Sequence, residues 1–300
     1  MARNRKGKKI NGWVLLDKPL GLTSTQALGK VRFLLGAQKA GHGGTLDPLA
    51  SGVLPIALGE ATKLIPFVMD GQKEYYFTIR WGEARTTEDA EGEITATSAV
   101  RPDAAAIEAV LPRFIGSINQ MPPIFSALKV DGQRAYDLAR AGEVVNLTAR
   151  TVQIFDCKLI STPDADHATL VVACGKGTYV RSLARDIALA LGTVGHVSAL
   201  RRSRVGCFAL EQTISLEKLA ELAHKGDALT ALHAMTLALD DIPARIVDMQ
   251  EAHRLRHGQS ILAAPSEVLH SMMLATEAGQ PIAIIAYQDG VWQPVRGFNL

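Results

Sequence analysis

A lone acid in a glycine-rich stretch, Asp47 in GHGGTLDPLASGVL (41–54), is the first residue whose setting suggests chemistry. Gly41, Gly43 and Gly44 would let the backbone approach a ligand closely, as in a phosphate cradle, whereas an acid between Leu46 and Pro48 also suits an ordinary turn. Phosphate cradling fails on spacing: GKGT (175–178) has Leu170 where a P-loop needs glycine and Gly177 where it needs Ser or Thr. No GxGxxG opens a helix after a strand. His253 and His257 in HRLRH lie one helical turn apart but lack the glutamate of HExxH and a third ligand, so no metal site is expected. There is no GxSxG elbow, and none of Cys157, Cys174 and Cys207 has an adjacent histidine to activate it. Three widely spaced cysteines also argue against a disulfide framework.

Around Asp47 the pattern predicts a short strand, Trp13 to Leu16, then a turn through DKPLGLTS and a helix. Thr23 with Gln26 has the capping-box spacing, Leu28, Val31, Leu34 and Leu35 make one face, and Gly36 suits the C-terminal cap. GEATKLIPFVMDG reads as a helical stretch after the loop, and EYYFTIRW as a strand with Tyr75, Phe77, Ile79 and Trp81 on one face. The acidic loop GEARTTEDAEGEI precedes a helix near 103–111, and residues 116–150 mix prolines, glycines and basic residues as a long, functional excursion does. Strands TVQIFDCKLI and ATLVVAC lead to a helix with Val180, Leu183, Ile187 and Leu191 at helical spacing, which puts Arg181 in its first turn. Leu216 to about Leu239 reads as further helix and DDIPAR as a linker. A small β-rich module follows, with a hairpin at Asp289 and Gly290, so the boundary is placed near Pro243.

The 300 residues suffice for a large and a small domain. Apolar runs such as IAIIAY (282–287) fall far short of the roughly 20 residues a bilayer span needs, and no secretory h-region follows the basic opening, so a cytoplasmic location and no membrane are expected. The net charge of +2 is small but unevenly placed, with clusters in the N-terminal arm and in RRSR (201–204).

Several segments in order, DKPLGLTS, GHGGTLDPLASGVLPIALGEATK, KEYYF, QMPPIFSALKVDGQRAYDLARAGE and GKGTYVRSLARDIALALG with LRRSRVGCF, resemble the TruB family of tRNA pseudouridine synthases. The match runs from about Trp13 to Phe208; LRHGQ (255–259) is the best stretch of a weaker C-terminal likeness to a small RNA-binding domain. The chain departs at Gly43, where the family usually has threonine, near Thr86, where it has aspartate, and at Phe125, where it has tyrosine.

The resemblance implies an α+β fold: a large mixed, mainly antiparallel sheet with a central RNA-binding cleft in residues 13–242, behind a basic arm of residues 1–12, and a small PUA-like β-rich module in 243–300. It implies that Asp47 is the nucleophile or base, Arg181 its ion-pair partner and Tyr75 the platform for the flipped T-loop uracil of tRNA position 55. It further implies that His42, Tyr179 and Leu200 line the uracil site. Lys63, Lys129, Arg140, Arg201 and Arg202 are candidate partners of the RNA backbone. Exchanging a C–N for a C–C glycosidic bond is a net isomerisation, so no cofactor is expected. The partner is the T-arm stem-loop of tRNA, no protein partner is implied, and a monomer is expected. In a dry pocket burial would raise the acid's pKa by several units and a nearby cation would lower it by roughly 1–3. Two other readings remain at this level: an RNA chaperone that does not need Asp47, and a glycoside hydrolase, for which no second acid stands out.

Overall fold

The structure, a computed structural model, describes residues 7–126, 128–130, 133–134, 136, 147–264 and 270–300. In chain order its elements are β1 (Gly12–Lys18), α1 (Ser24–Leu35), β2 (Ala40–His42), β3 (Ala50–Leu58), α2 (Ile65–Asp70), β4 (Lys73–Trp81), the hairpin β5 (Glu83–Arg85) and β6 (Ile94–Thr97), α3 (Ala104–Val110) and β7 (Gly116–Gln120). There follow the hairpin β8 (Lys129–Val130) and β9 (Gln133–Arg134), β10 (Arg150–Asp164), β11 (His167–Cys174), α4 (Val180–Ala190), β12 (Gly195–Val205), β13 (Phe208–Ala209), β14 (Ile214–Ser215) and α5 (Leu216–Lys225). The last part holds β15 (Ala244–Ile246), α6 (Met249–Arg256), β16 (Ile261–Leu262), β17 (Met272–Glu277), β18 (Gln280–Gln288) and β19 (Val291–Gly297).

One sheet organises the first 215 residues, in the order β14-β1-β3-β12-β4-β11-β10-β7, with β2 added to β3 and β13 to β12. Only β1 with β14 and β3 with β12 run parallel; the other pairs are antiparallel, the mixed, mainly antiparallel sheet that was expected. Local signals explain its edges and supports. The Gln26 amide donates to Thr23 Oγ1 (3.1 Å), the Thr23 amide to Gln26 Oε1 (2.9 Å), and Gly36 closes α1 in the left-handed region at φ 62°.

Along β4 the alternation holds, with Phe77, Ile79 and Trp81 buried against α3 and α4. On the same face, at the other end of the sheet, Ala27, Val31 and Leu35 of α1 and Leu219 of α5 cover Val14 and Leu16 of β1. The opposite face buries Trp13, Leu15 and Phe208 together with Leu274 and Ile284 of the second, five-stranded sheet β15-β17-β18-β19-β16 and Phe298, just after its strand β19. Its hairpin turns at Asp289 (φ 49°) and Gly290 (φ 84°), where the sequence places it.

The helix anticipated from Leu216 to about Leu239 is shorter. α5 ends at Lys225, where Gly226 adopts φ 87° and caps it, and the rest forms two short 3-10 turns. The backbone of His233 is claimed by β1: the Trp13 amide donates to its carbonyl (2.9 Å) and its amide to Trp13 (2.8 Å). A continuous helix would forfeit both bonds.

Candidate active site

Strand register explains how distant residues meet. Ala50 pairs with Leu200 and Gly52 with Arg202, so the loop before β3 opens beside the middle of β12. Tyr75 pairs with Arg202 on one side and with Val172 on the other. β11 ends where Cys174 faces Lys73, so the turn that starts α4 rises next to Tyr75. The outcome is a cleft of about 310 Å³ whose walls include Asp47, Tyr75, Tyr179, Arg181 and Leu200.

Asp47 and Arg181 meet there: Nη2 of Arg181 lies 2.9 Å from Asp47 Oδ2. The cation is the buried member. Its side chain is 7% exposed, while that of Asp47 is 41% exposed. The dry pocket anticipated around the acid is therefore absent until something covers the cleft, and the arginine's present contribution is direction.

The guanidinium is itself held on other sides, donating to the carbonyls of Thr87 (2.8 Å) and Phe125 (3.0 Å) and facing Asp89 Oδ2 at 3.5 Å. Because Phe125 serves through its carbonyl, the departure from tyrosine at that position leaves this bond untouched. Gly43 has a local reason as well, since a Cβ there would press on Val68 Cγ1 at 3.0 Å.

Tyr75 and Tyr179 frame the cleft. Burial pushes both phenols up, so they stay protonated and can donate. Tyr179 is fixed by Gln120, whose Oε1 accepts from the Tyr179 amide (2.8 Å) and whose Nε2 donates to its carbonyl (3.1 Å). His42 sits on β2 opposite Ile56 rather than in the cleft wall; its Nδ1 is buried without a hydrogen-bond partner, and burial, helped by Arg202, lowers its pKa.

Several of the candidate RNA-backbone residues have partners within the chain. Arg202 is only 1% exposed and donates to the carbonyls of Val53 (2.8 Å), Gly44 (3.1 Å) and Thr45 (3.3 Å). It holds the Asp47 loop from beneath, its guanidinium committed to these three carbonyls where it lines the floor of the cleft. The pairing of Gly52 with Arg202 explains the glycine: at φ 103°, a Cβ there would fall 2.1 Å from the Arg202 carbonyl oxygen.

Arg201 forks onto Asp17 through Nη2 (2.8 Å) and Nη1 (3.1 Å), so a phosphate would have to compete for it. Lys63 donates to Glu60 (2.7 Å) and to the Gly297 carbonyl (2.7 Å), and the Asn299 amide donates to Glu60 (2.8 Å). This pair therefore joins the first part of the chain to the last strand. Lys129 lies on β8, and Arg140 falls outside the described residues.

Three residues escaped the sequence reading. Asp89, hidden among the acids of GEARTTEDAEGEI, accepts from Thr87 Oγ1 and the Glu91 amide (3.1 Å) while facing Arg181. It is the second acid a glycosidase reading lacked, yet its bonds commit it as an acceptor. Lys18 is fully buried; its ammonium donates to the carbonyls of Leu22 (2.7 Å) and Pro19 (2.9 Å), and burial, opposed by Asp47, brings its pKa down to about 8. Gln120 is the third. Among the described residues no group of three His, Cys, Asp or Glu side chains gathers as a metal ion would require, and no helix is long and apolar enough to cross a membrane.

Comparison with known proteins identifies a family. The profile of the TruB family pseudouridylate synthase N-terminal domain matches residues 32–180, and that of the tRNA pseudouridylate synthase B C-terminal domain matches residues 181–242. A tRNA pseudouridine synthase B of Caulobacter vibrioides is 51% identical over 309 residues, covering 100% of both chains. Another, from Bradyrhizobium diazoefficiens, is 50% identical over 303 residues, covering 99% of this chain and 88% of its own. Among solved structures, that of a Cbf5-Nop10-Gar1 complex superposes with TM-score 0.73 at 25% identity, covering 96% of this chain and 84% of that one. An H/ACA RNP bound to a substrate RNA containing 2'-deoxyuridine shares the fold, with TM-score 0.74 at 22% identity and coverage of 100% and 92%. With profiles matching well over half its length and relatives near half identity from end to end, the chain belongs to the TruB family of pseudouridylate synthases.

Proposed function

We propose that this chain converts the T-loop uridine at position 55 of tRNA into pseudouridine, acting as a cytoplasmic monomer without a cofactor. The observation that carries the reading is the Asp47–Arg181 contact at 2.9 Å, set in a cleft walled by Tyr75, Tyr179 and Leu200. A uridine buried in a folded T-loop must leave its stack to reach that acid, at a cost of a few kcal/mol that stacking on Tyr75 offsets by roughly 1–3. In the conversion the C1'–N1 bond breaks, the C1'–C5 bond forms, C5 loses a proton and N1 gains one, so the atoms balance.

Attack by the carboxylate on C6 or on C1', and removal of the C2' proton, all begin from an ionised, aimed Asp47. Arg181 supplies the aim, and the protonated Tyr75 and Tyr179 supply an apolar wall with hydroxyl donors. Residues 13–242 carry this chemistry, and 243–300 act as an accessory RNA-binding module. The arrangement that supports a joint RNA surface is the shared core of Trp13, Phe208, Leu274 and Phe298.

The test is pseudouridine mapping on a full tRNA transcript. The wild-type chain is expected to modify position 55 alone, and Asp47→Asn to form none while binding the transcript within a few-fold of wild type. Near-normal turnover by Asp47→Asn, or modification elsewhere with position 55 untouched, would overturn the assignment.

A further inference from the structure

The solvent side of α1 leads away from the catalytic loop and ends in a bare aromatic ring. α1 is fastened beside Asp47 on both flanks: Ser24 Oγ accepts from the Leu46 amide (2.8 Å) and donates to the Leu46 carbonyl (2.9 Å), and the Gly21 amide donates to Pro48 (2.8 Å). Ala27, Val31 and Leu35 take its inner side. Outside, Thr25, Gly29 and Phe33 follow at intervals of four, with Gln26 and Lys30 beside them.

Phe33 is 84% exposed, about 14 Å along the axis from Ser24. Gly29, one turn before it, carries no side chain, and an added Cβ there would meet nothing within 4 Å, so this stretch of the helix surface is open.

The surroundings are basic. α1 contains no acid. Arg32 is anchored by its bonds to the carbonyls of Ala37 (3.1 Å) and Gln38 (3.3 Å), and the exposed Lys8 and Lys9 dock alongside through Lys8 N–H to Gly36 (2.7 Å) and Gln38 N–H to Lys8 (2.9 Å). Glu217, on α5, is an acid within electrostatic reach of Lys30.

We propose that this face is a second RNA-contact surface. Phe33 stacks an unpaired base of the same RNA whose uridine enters the cleft, and Lys8, Lys9, Lys30 and Arg32 hold the phosphates around it. An aromatic platform inside a basic field is how proteins grip unpaired nucleotides, whereas the cores of protein–protein interfaces are depleted in lysine. The inference rests on RNA being the substrate.

Filter binding of a full tRNA transcript tests it, with thermal unfolding confirming that the exposed substitutions leave the fold intact. Stacking predicts that Phe33→Ala weakens binding by about 5- to 150-fold. Turnover at saturating RNA stays at the wild-type value. Phe33→Tyr binds within twofold of wild type, and Phe33→Leu, apolar but without a ring, falls with alanine. Lys30→Ala lowers the slope of log K against log salt by about 0.7 to 0.9 for one lost phosphate contact.

Wild-type binding by Phe33→Leu would overturn the proposal. So would a Phe33→Ala chain that changes self-association in sedimentation but not RNA affinity, which would mark a protein interface instead. A wild-type chain that binds tRNA without isomerising it would sink the reading of the cleft, and the series at Phe33 would still be read on its own scale of binding.

Discussion

Arg202→Met is expected to disorganise the Asp47 loop rather than weaken the hold on RNA. The guanidinium donates three bonds, to the carbonyls of Val53, Gly44 and Thr45, from a position that is 1% exposed. Bonds from a charged donor contribute about 1.5–3 kcal/mol each, and removing the cation also removes the cost of keeping it away from water. The net loss is on the order of 3–5 kcal/mol, set against the roughly 5–15 kcal/mol that holds a domain folded.

The chain therefore stays folded at 25 °C, with its Tm lowered by roughly 6–20 °C at about 2–4 °C per kcal/mol. Gly44 and Thr45 lie just before Asp47, so their release shifts the carboxylate, and a misplacement of about 1 Å costs about a hundredfold in rate. Pseudouridine formation at saturating RNA, paired with binding over a salt series, is the assay. The expected result is a rate about a hundredfold lower, affinity within threefold and an unchanged salt slope. Arg202→Lys should recover little, because one ammonium cannot span the three carbonyls. A rate within twofold of wild type, with tenfold weaker binding and a salt slope reduced by about 1, would refute the clamp and restore Arg202 as a phosphate contact.

Two further perturbations probe the same site. Asp89→Asn keeps the shape but removes one of the two carboxylates facing Arg181, so the cation is drawn more fully onto Asp47. Single-turnover rates should fall about tenfold with RNA affinity within threefold, and an unchanged rate would show that the Thr87 and Phe125 carbonyls alone hold Arg181. Lys18 titrates near pH 8 in the folded chain and at 10.5 by its ordinary value, so between these the unfolded chain binds the extra proton and stability rises with pH. Lys18→Met should remove a rise of about 1.4 kcal/mol per pH unit over pH 8 to 10.5, measured by denaturant unfolding as the difference between wild type and variant; equal slopes would show that the amine is not desolvated.

Much of the local structure was legible in the sequence because short-range rules govern it. The Thr23–Gln26 box, Gly36, the alternation along Tyr75–Trp81 and the Asp289–Gly290 turn each involve residues within a few positions of one another, and each appears where the pattern places it. The ordered motifs pointed to candidates far apart in the chain that the fold brings together. Asp47, Tyr75, Tyr179, Arg181 and Leu200 all reach one cleft. Where a local rule competed with a distant partner, the partner prevailed. Apolar periodicity after Leu216 suggested one long helix, but Gly226 and the pairing of His233 with Trp13 end it early.

The sequence by itself determined the main helices and strands, the extent of the helix after Leu216 excepted, and which acid, tyrosine and arginine are the candidates. Only the tertiary structure decided what the remaining charges do. Arg202 looked like its neighbours in RRSR, yet strand register sets its guanidinium beneath Gly44 and Thr45. Asp89 looked like any acid in a polar loop, yet it faces an arginine from α4. Charge and residue type are written locally, whereas burial and partnership depend on which strands pair, and that is settled by packing across the whole sheet.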